Sequence, residues 1–287
     1  MTMADEISAK DVAALRKITG AGMMDCKKAL QENGGDIEAA KNWLREKGIA
    51  GAAKQAGREA NEGAIEVRVE GNVGALVELN CTTDFVAKGD VFKQALAKLM
   101  QIVIEQGDAD LGAKQIDGES VDDFVKGLSG SLGENIQLGR VVRFESADGL
   151  LDAYKHIQNE RGTVGVLVEL GGVDVSSPKA REVAHDVALH IASAAPRWVT
   201  RDQVPADVIE HERKIYETQA REEGKPEQAW PKIVDGKING FYKANPGGAL
   251  VEQAFVKDQK STVGALVAGL GGDAAVRRFA RVKIGEE

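Results

Sequence analysis

Apolar residues recur at helical spacing along the first part of the chain and then switch to strand spacing. Ser8 stands three residues before Asp11 in a capping-box-like start, and Val12 and Leu15 follow until Thr19 and Gly20 break the pattern. Met23, Cys26 and Leu30, at i, i+3 and i+7, predict a second helix. It ends in Asn33, Gly34 and Gly35, residues that tolerate positive φ. Asp36 is placed to cap a third helix with Ile37, Ala40 and Leu44 on its apolar face. From Gly48 to Gly63 the composition turns to Ala, Gly and scattered charge without a wide apolar stripe, which predicts a linker, partly helical. Beyond it Ile65 to Val69 alternate, Val73 to Leu79 form an apolar run, and helical spacing returns from Val91 to Ile104.

An internal repeat follows. NVGALVEL at 72–79 recurs as TVGVLVEL at 163–170, each copy preceded by a β-rich stretch (64–70 and 140–145) and followed by a helical one (91–104 and 179–194). The pattern predicts two α+β halves of similar plan, each a small antiparallel sheet with helices on one face. A third look-alike, TVGALV at 262–267, fits a helix better, because Val263, Leu266 and Val267 keep 3.6-type spacing behind a capping Ser261 or Thr262. Between 205 and 242, sparse apolar positions among many charges, interrupted at Glu223 to Pro226, predict a helical hairpin that protrudes from the body. The expected layout is a three-helix module (1–50), a linker (51–63), two core halves (64–145 and 146–204), the hairpin (205–242) and a C-terminal module (243–287).

Charge and composition narrow the function. With 45 acidic and 37 basic residues the net charge is −8, which argues against nucleic acid as main partner, and 7 Phe, 3 Tyr and 3 Trp are few for base stacking. Two cysteines make no disulfide framework, and the start MTMADEISAK lacks the apolar stretch and basic flank of a leader, so a reduced, cytoplasmic chain is expected. No apolar run approaches the roughly 18 residues of a membrane span. There is no GxxxxGK[ST] loop and no GxGxxG after a strand, so the chain is not expected to bind nucleotide itself. The four histidines, His156, His185, His190 and His211, form no metal-binding spacing, and no cofactor is expected. Cys81 ends an apolar strand, where a small buried hydrophobe competes with a nucleophile. Met23 and Met24 open a helix side by side, so the bundle core takes at most one of them. Phe85, in the loop of Thr83, Asp84 and Val86 after that strand, either folds into the core or stands out as an anchor.

LRKITGAGMMDCKKAL (15–30) and ELNCTTDFVAK (78–88) closely resemble the two signature segments of the bacterial elongation factor Ts family, the guanine nucleotide exchange factors for elongation factor Tu. The resemblance continues through GENI at 133–136, GTVGVLVEL at 162–170, EEGKPE at 222–227 and LVEQAFVKD at 250–258. Thr82 stands where the family usually has Gln or Glu, and Ala254 where it usually has Pro. The resemblance implies that the first three helices form a ubiquitin-associated-like module docking on the partner through Leu15, Met23 and Met24. It implies that Thr83, Asp84, Phe85 and Val86 dislodge magnesium from elongation factor Tu, with Phe85 intruding, and that Leu132, Gly133 and His156 make further contacts. GDP release by such a factor is not enzymatic chemistry. The rival readings are a ubiquitin-associated-type adaptor without exchange activity, and a hydrolase using Cys81.

Overall fold

The computed structural model describes residues 7–52 and 55–286; the first six residues of the expected N-terminal module, positions 53 and 54 of the expected linker, and residue 287 lie outside the described residues. Three helices come first: α1 (Ala9–Thr19), α2 (Met23–Glu32) and α3 (Ile37–Ala52). Ser8 Oγ accepts the Asp11 N–H at 3.1 Å and Asp36 Oδ1 accepts that of Ala39 at 2.9 Å, so the first and third helices start on the side-chain caps expected of them. Gly20, left-handed at φ 71°, ends α1. Val12, Leu15, Cys26, Leu30, Ala40 and Leu44 fill the core of this bundle, and α3 runs on to Ala52, into the stretch read as linker.

Next come β1 (Glu62–Glu70), β2 (Val73–Cys81), α4 (Asp84–Ala87), α5 (Asp90–Gln106), β3 (Gln115–Ile116), β4 (Glu119–Ser120), α6 (Val121–Leu132) and β5 (Gln137–Glu145). β1 and β2 pair antiparallel from Glu62 opposite Cys81 to Glu70 opposite Val73, and β5 takes the other side of β2. The remaining elements are β6 (Leu150–Gln158), β7 (Arg161–Gly171), α7 (Pro178–Ala194), α8 (Ala206–Glu222), α9 (Trp230–Tyr242), β8 (Ala254–Phe255), β9 (Asp258–Thr262), α10 (Val263–Ala268) and β10 (Ala275–Lys283). The architecture is α+β with small sheets, as expected, and α8 and α9 form the helical hairpin. Thr262 Oγ1 caps α10 by accepting the Ala265 N–H at 3.1 Å, so the third look-alike string is a helix.

Both copies of the repeat are central strands, β2 in the order β1-β2-β5 and β7 in the order β10-β7-β6. The pairing around the second copy differs from the sequence reading: the stretch 140–145 lies in β5 beside β2, and the neighbours of β7 are β6 and β10. β6 escaped notice because its second half, Tyr154 to Gln158, carries almost no apolar alternation. It is joined to β7 by Asn159 and Glu160, both at positive φ (51° and 65°), the pattern of a tight two-residue hairpin turn.

The chain forms two compact units, one of Met1–Phe144, Lys155–Gly165 and Val282–Glu287, the other of Glu145–Tyr154 and Val166–Arg281. In the second, Glu169 is buried and bonded by Ser146, Arg277 and Arg278, which ties β10 to β7. Burial pushes its carboxyl up, but the Ser146 bond and the two guanidiniums outweigh this and hold it below the ordinary range. His190 is buried there, with Nδ1 accepting the Val256 N–H at 3.2 Å and Nε2 facing Gln253 Oε1 at 2.9 Å; desolvation lowers its pKa, so it is a neutral core histidine. His185 is exposed beside Asp152.

In the first unit, Val77, Leu79, Phe92, Leu99 and Met100 form the core under the sheet. The three-helix bundle joins this body where α3 crosses α6 with no side chain between the two backbones. A Cβ at Gly130 would lie 2.0 Å from the carbonyl oxygen of Gly48, and one at Gly48 would lie 2.8 Å from that of Gly127. Only glycine permits that approach.

Gly130→Ala therefore costs about 1–3 kcal/mol through overpacking, read as a lower unfolding midpoint. Gly236→Ala, inside α9 with nothing within 4 Å of the added carbon, raises stability by about 0.5–1 kcal/mol. Equal effects of the two substitutions would show that α3 and α6 are not in backbone contact.

Candidate functional site

The site is built where β2 runs out. Cys81, fully buried, donates from Sγ to the Thr83 carbonyl at 3.1 Å, and Thr83 then caps α4 by accepting the Val86 N–H at 3.4 Å. Within this single turn Phe85 and Ala87 are about 200° apart at 100° per residue, so they point to opposite sides. Ala87 is fully buried, Val86 packs against the core, and Phe85 is 82% exposed. The phenyl ring stands outward and is not a core residue. Leaving such a side chain in water forgoes roughly 1.5–3 kcal/mol of burial, so the ring is held out by its backbone.

Glu134 does the holding. Its carboxylate accepts the Thr83 N–H at 3.0 Å on one oxygen and the Thr83 hydroxyl on the other. The residue is fixed in turn by what surrounds it. α6 stops at Gly133 in the left-handed region (φ 72°), the Ser129 hydroxyl donates to the Glu134 carbonyl, and Ile136 N–H returns to Ser129 Oγ at 3.3 Å. Asn135 Nδ2 donates to the Arg58 carbonyl at 2.6 Å, drawing in the chain that leads to β1. The GENI string is thus the bracket of the Phe85 turn. Sequence reasoning noted the string without giving Glu134 a role, because a carboxylate whose partner lies 51 residues away leaves no local pattern.

Asp84 pairs with Lys88 at 2.6 Å, and the hydrogen bond and charge of that lysine hold its carboxyl below the ordinary range. Thr82 Oγ1 is buried with no hydrogen-bond partner, so the hydroxyl does not bond beside Asp84.

The bundle meets this turn across a groove of about 820 Å³ that Met23, Met24, Phe85, Val86 and Leu132 line. Met23 and Met24 are 59% and 75% exposed, so neither methionine enters the bundle core, which Cys26, Ala29 and Leu30 fill. Gly20 makes the junction possible: a Cβ there would sit 2.7 Å from Leu132 Cδ2 and 3.1 Å from Val91 Cγ2. Arg16, Lys17 and Lys27 also line the groove, a cationic edge that sequence reasoning passed over. Gly133 is exposed at the end of α6. Two expected contact residues stand elsewhere. Leu15 is fully buried in the bundle and has no surface to offer, and His156 is exposed on β6 outside the lining of this groove.

A hydrolase built on Cys81 finds no support here. Burial pushes its thiol up to about 12, so no appreciable thiolate forms near neutral pH. Among the described residues no group of three His, Cys, Asp or Glu could hold a metal ion, and no helix is long and apolar enough to cross a membrane.

A family model described as Elongation factor TS matches residues 82–286. The chain is similar to an elongation factor Ts of Symbiobacterium thermophilum, 47% identical over 291 residues covering 98% of this chain and 93% of that one. It is also similar to those of Arthrobacter sp. strain FB24, 45% identical over 285 residues (97% and 98% covered), and Thermobifida fusca, 46% over 284 residues (97% and 98%).

If Glu134 fixes the turn, Glu134→Ala speeds hydrogen exchange of the Thr83 amide by about 10-fold to 100-fold, since bonds to charged acceptors contribute about 1.5–3 kcal/mol. Exchange measured by NMR at an unchanged rate would mean that the α4 cap alone holds the turn.

Proposed function

The chain belongs to the elongation factor Ts family, and from that premise we propose that this translation elongation factor is the guanine nucleotide exchange factor for elongation factor Tu, acting in the cytoplasm. The observation that carries the reading is an uncharged aromatic ring, 82% exposed, on a turn bonded from behind by a carboxylate and facing a groove with two exposed methionines.

Exchange is a matter of linkage. A factor that weakens GDP binding is itself weakened by GDP to the same extent, so it must make contacts incompatible with the bound nucleotide. In this reading α2 docks on the partner through Met23 and Met24, with Leu132 and Gly133 beside them. Leu15 contributes by holding α1 in the bundle rather than by touching the partner. His156 supplies a separate contact. The turn from Thr83 to Val86 then reaches the magnesium and phosphate region, where Phe85 acts as the wedge: rigid, bulky and without a charge to desolvate. Displacing Mg²⁺ leaves the phosphates less neutralised and GDP leaves faster. GTP then refills the site and expels the factor. No bond is made or broken by this chain, which binds neither nucleotide nor a cofactor of its own.

The test is release of labelled GDP from purified elongation factor Tu. The chain accelerates release, whereas a plain ubiquitin-associated-type adaptor leaves the rate unchanged. Phe85→Ala slows catalysed release at least several-fold with the unfolding midpoint unchanged, because the ring belongs to the interface and not to the core. The ratio of catalysed to spontaneous release also falls when Mg²⁺ is chelated, since the wedge's work has then been done. A ratio equal with and without chelator removes the magnesium step from the proposal.

A further inference from the structure

Oxidisable sulfur is distributed unevenly in this chain. The sequence has five methionines and two cysteines. Met1 and Met3 lie outside the described residues. Among the described residues Met100 is fully buried in the sheet core, Cys26 and Cys81 are fully buried, and burial pushes both thiols up, away from the reactive thiolate. Met23 and Met24 alone of these are exposed residues, at 59% and 75%, and they line the groove beside Phe85.

We propose that Met23 and Met24 are a reversible oxidation site that switches off docking of this factor. Hydrogen peroxide transfers one oxygen atom to each thioether sulfur, giving methionine sulfoxide and one molecule of water; the sulfur is oxidised and the peroxide reduced. The product puts a strong dipole on a surface that works by being apolar and adaptable. On docking, that S=O group gives up its hydration where the unmodified side chain presented apolar surface, which weakens the complex. A methionine sulfoxide reductase returns the thioether with two electrons and two protons from a dithiol, which becomes a disulfide, and the oxygen leaves as water. The buried thiols leave no competing cysteine chemistry, so the factor responds to peroxide through its docking face while its fold stays intact. The inference rests on the docking role given above to Met23 and Met24.

The experiment treats the full chain with millimolar hydrogen peroxide, maps oxygen addition by peptide mass spectrometry, and measures affinity for GDP-bound elongation factor Tu by calorimetry before oxidation, after it, and after reduction by methionine sulfoxide reductases with dithiothreitol. Met24 and Met23 gain oxygen well before Met100, Kd rises about tenfold or more, and reduction restores it. In a Met23→Leu/Met24→Leu variant the ratio of Kd after peroxide to Kd before it stays near one, whatever that variant's starting affinity. A protein oxidised at both positions that binds with unchanged Kd overturns the switch, and so does a doubly substituted variant as peroxide-sensitive as the parent chain. Met23→Ala/Met24→Ala separates the two levels. If it weakens binding while oxidation does not, only the switch falls; if it leaves Kd unchanged, the docking role falls and the switch with it.

Discussion

Glu134 is a single carboxylate at the end of α6, and where Phe85 stands depends on it. Its two oxygens take the N–H and the hydroxyl of Thr83, and Thr83 is both the exit of β2 and the cap of α4. An exposed ring on a free loop would fold back onto the nearest apolar surface, so its position has to be set by polar bonds to the backbone that carries it. α6 performs a second service toward its middle, where Gly127 and Gly130 let α3 approach backbone to backbone. One helix thus holds the Phe85 turn at its end and the methionine-bearing bundle along its side. Removing side chains from α6 brings the two halves of the groove together.

Local features were legible in the sequence and long-range pairings were not. A cap is written within four residues, so the sequence shows Ser8 and Asp36 as caps and narrows the third to Ser261 or Thr262, of which the structure uses Thr262. The exposure of Met23 and Met24 was half legible: adjacency on a helix rules out both entering one core, yet nothing local says that neither does. Leu15 has the spacing of a core residue and is one; the resemblance nonetheless implied a surface contact there. β5 and β6 were confused because register between strands far apart in sequence is set by the sheet. The polar half of β6 gave no alternation to follow. Glu134 belongs to the same class, as a partner found only once the chain has folded.

The chemistry of the site follows from what is absent from its face as much as from what is on it. The groove wall is mainly thioether, phenyl and aliphatic, with the cationic side chains and the Asp90 carboxylate also lining it, and the nearby thiol of Cys81 is turned inward onto the Thr83 carbonyl. Such a mostly apolar surface suits docking and wedging, which require shape and dryness. In the docking role proposed for Met23 and Met24, the same softness of sulfur that suits them to an adaptable contact leaves them open to oxygen transfer. Adaptability and vulnerability are one property of the side chain.

The central claim is that Glu134 acts through Phe85, by fixing the turn from which the ring works. The most direct measurement is a double-mutant cycle on catalysed GDP release from elongation factor Tu, using Glu134→Ala, Phe85→Ala and the pair. The account predicts strong non-additivity: Glu134→Ala slows release in the parent chain and has almost no further effect once the ring is gone. Additive losses in the double variant would contradict it, because they would mean that Glu134 contributes to exchange by a route that does not pass through Phe85.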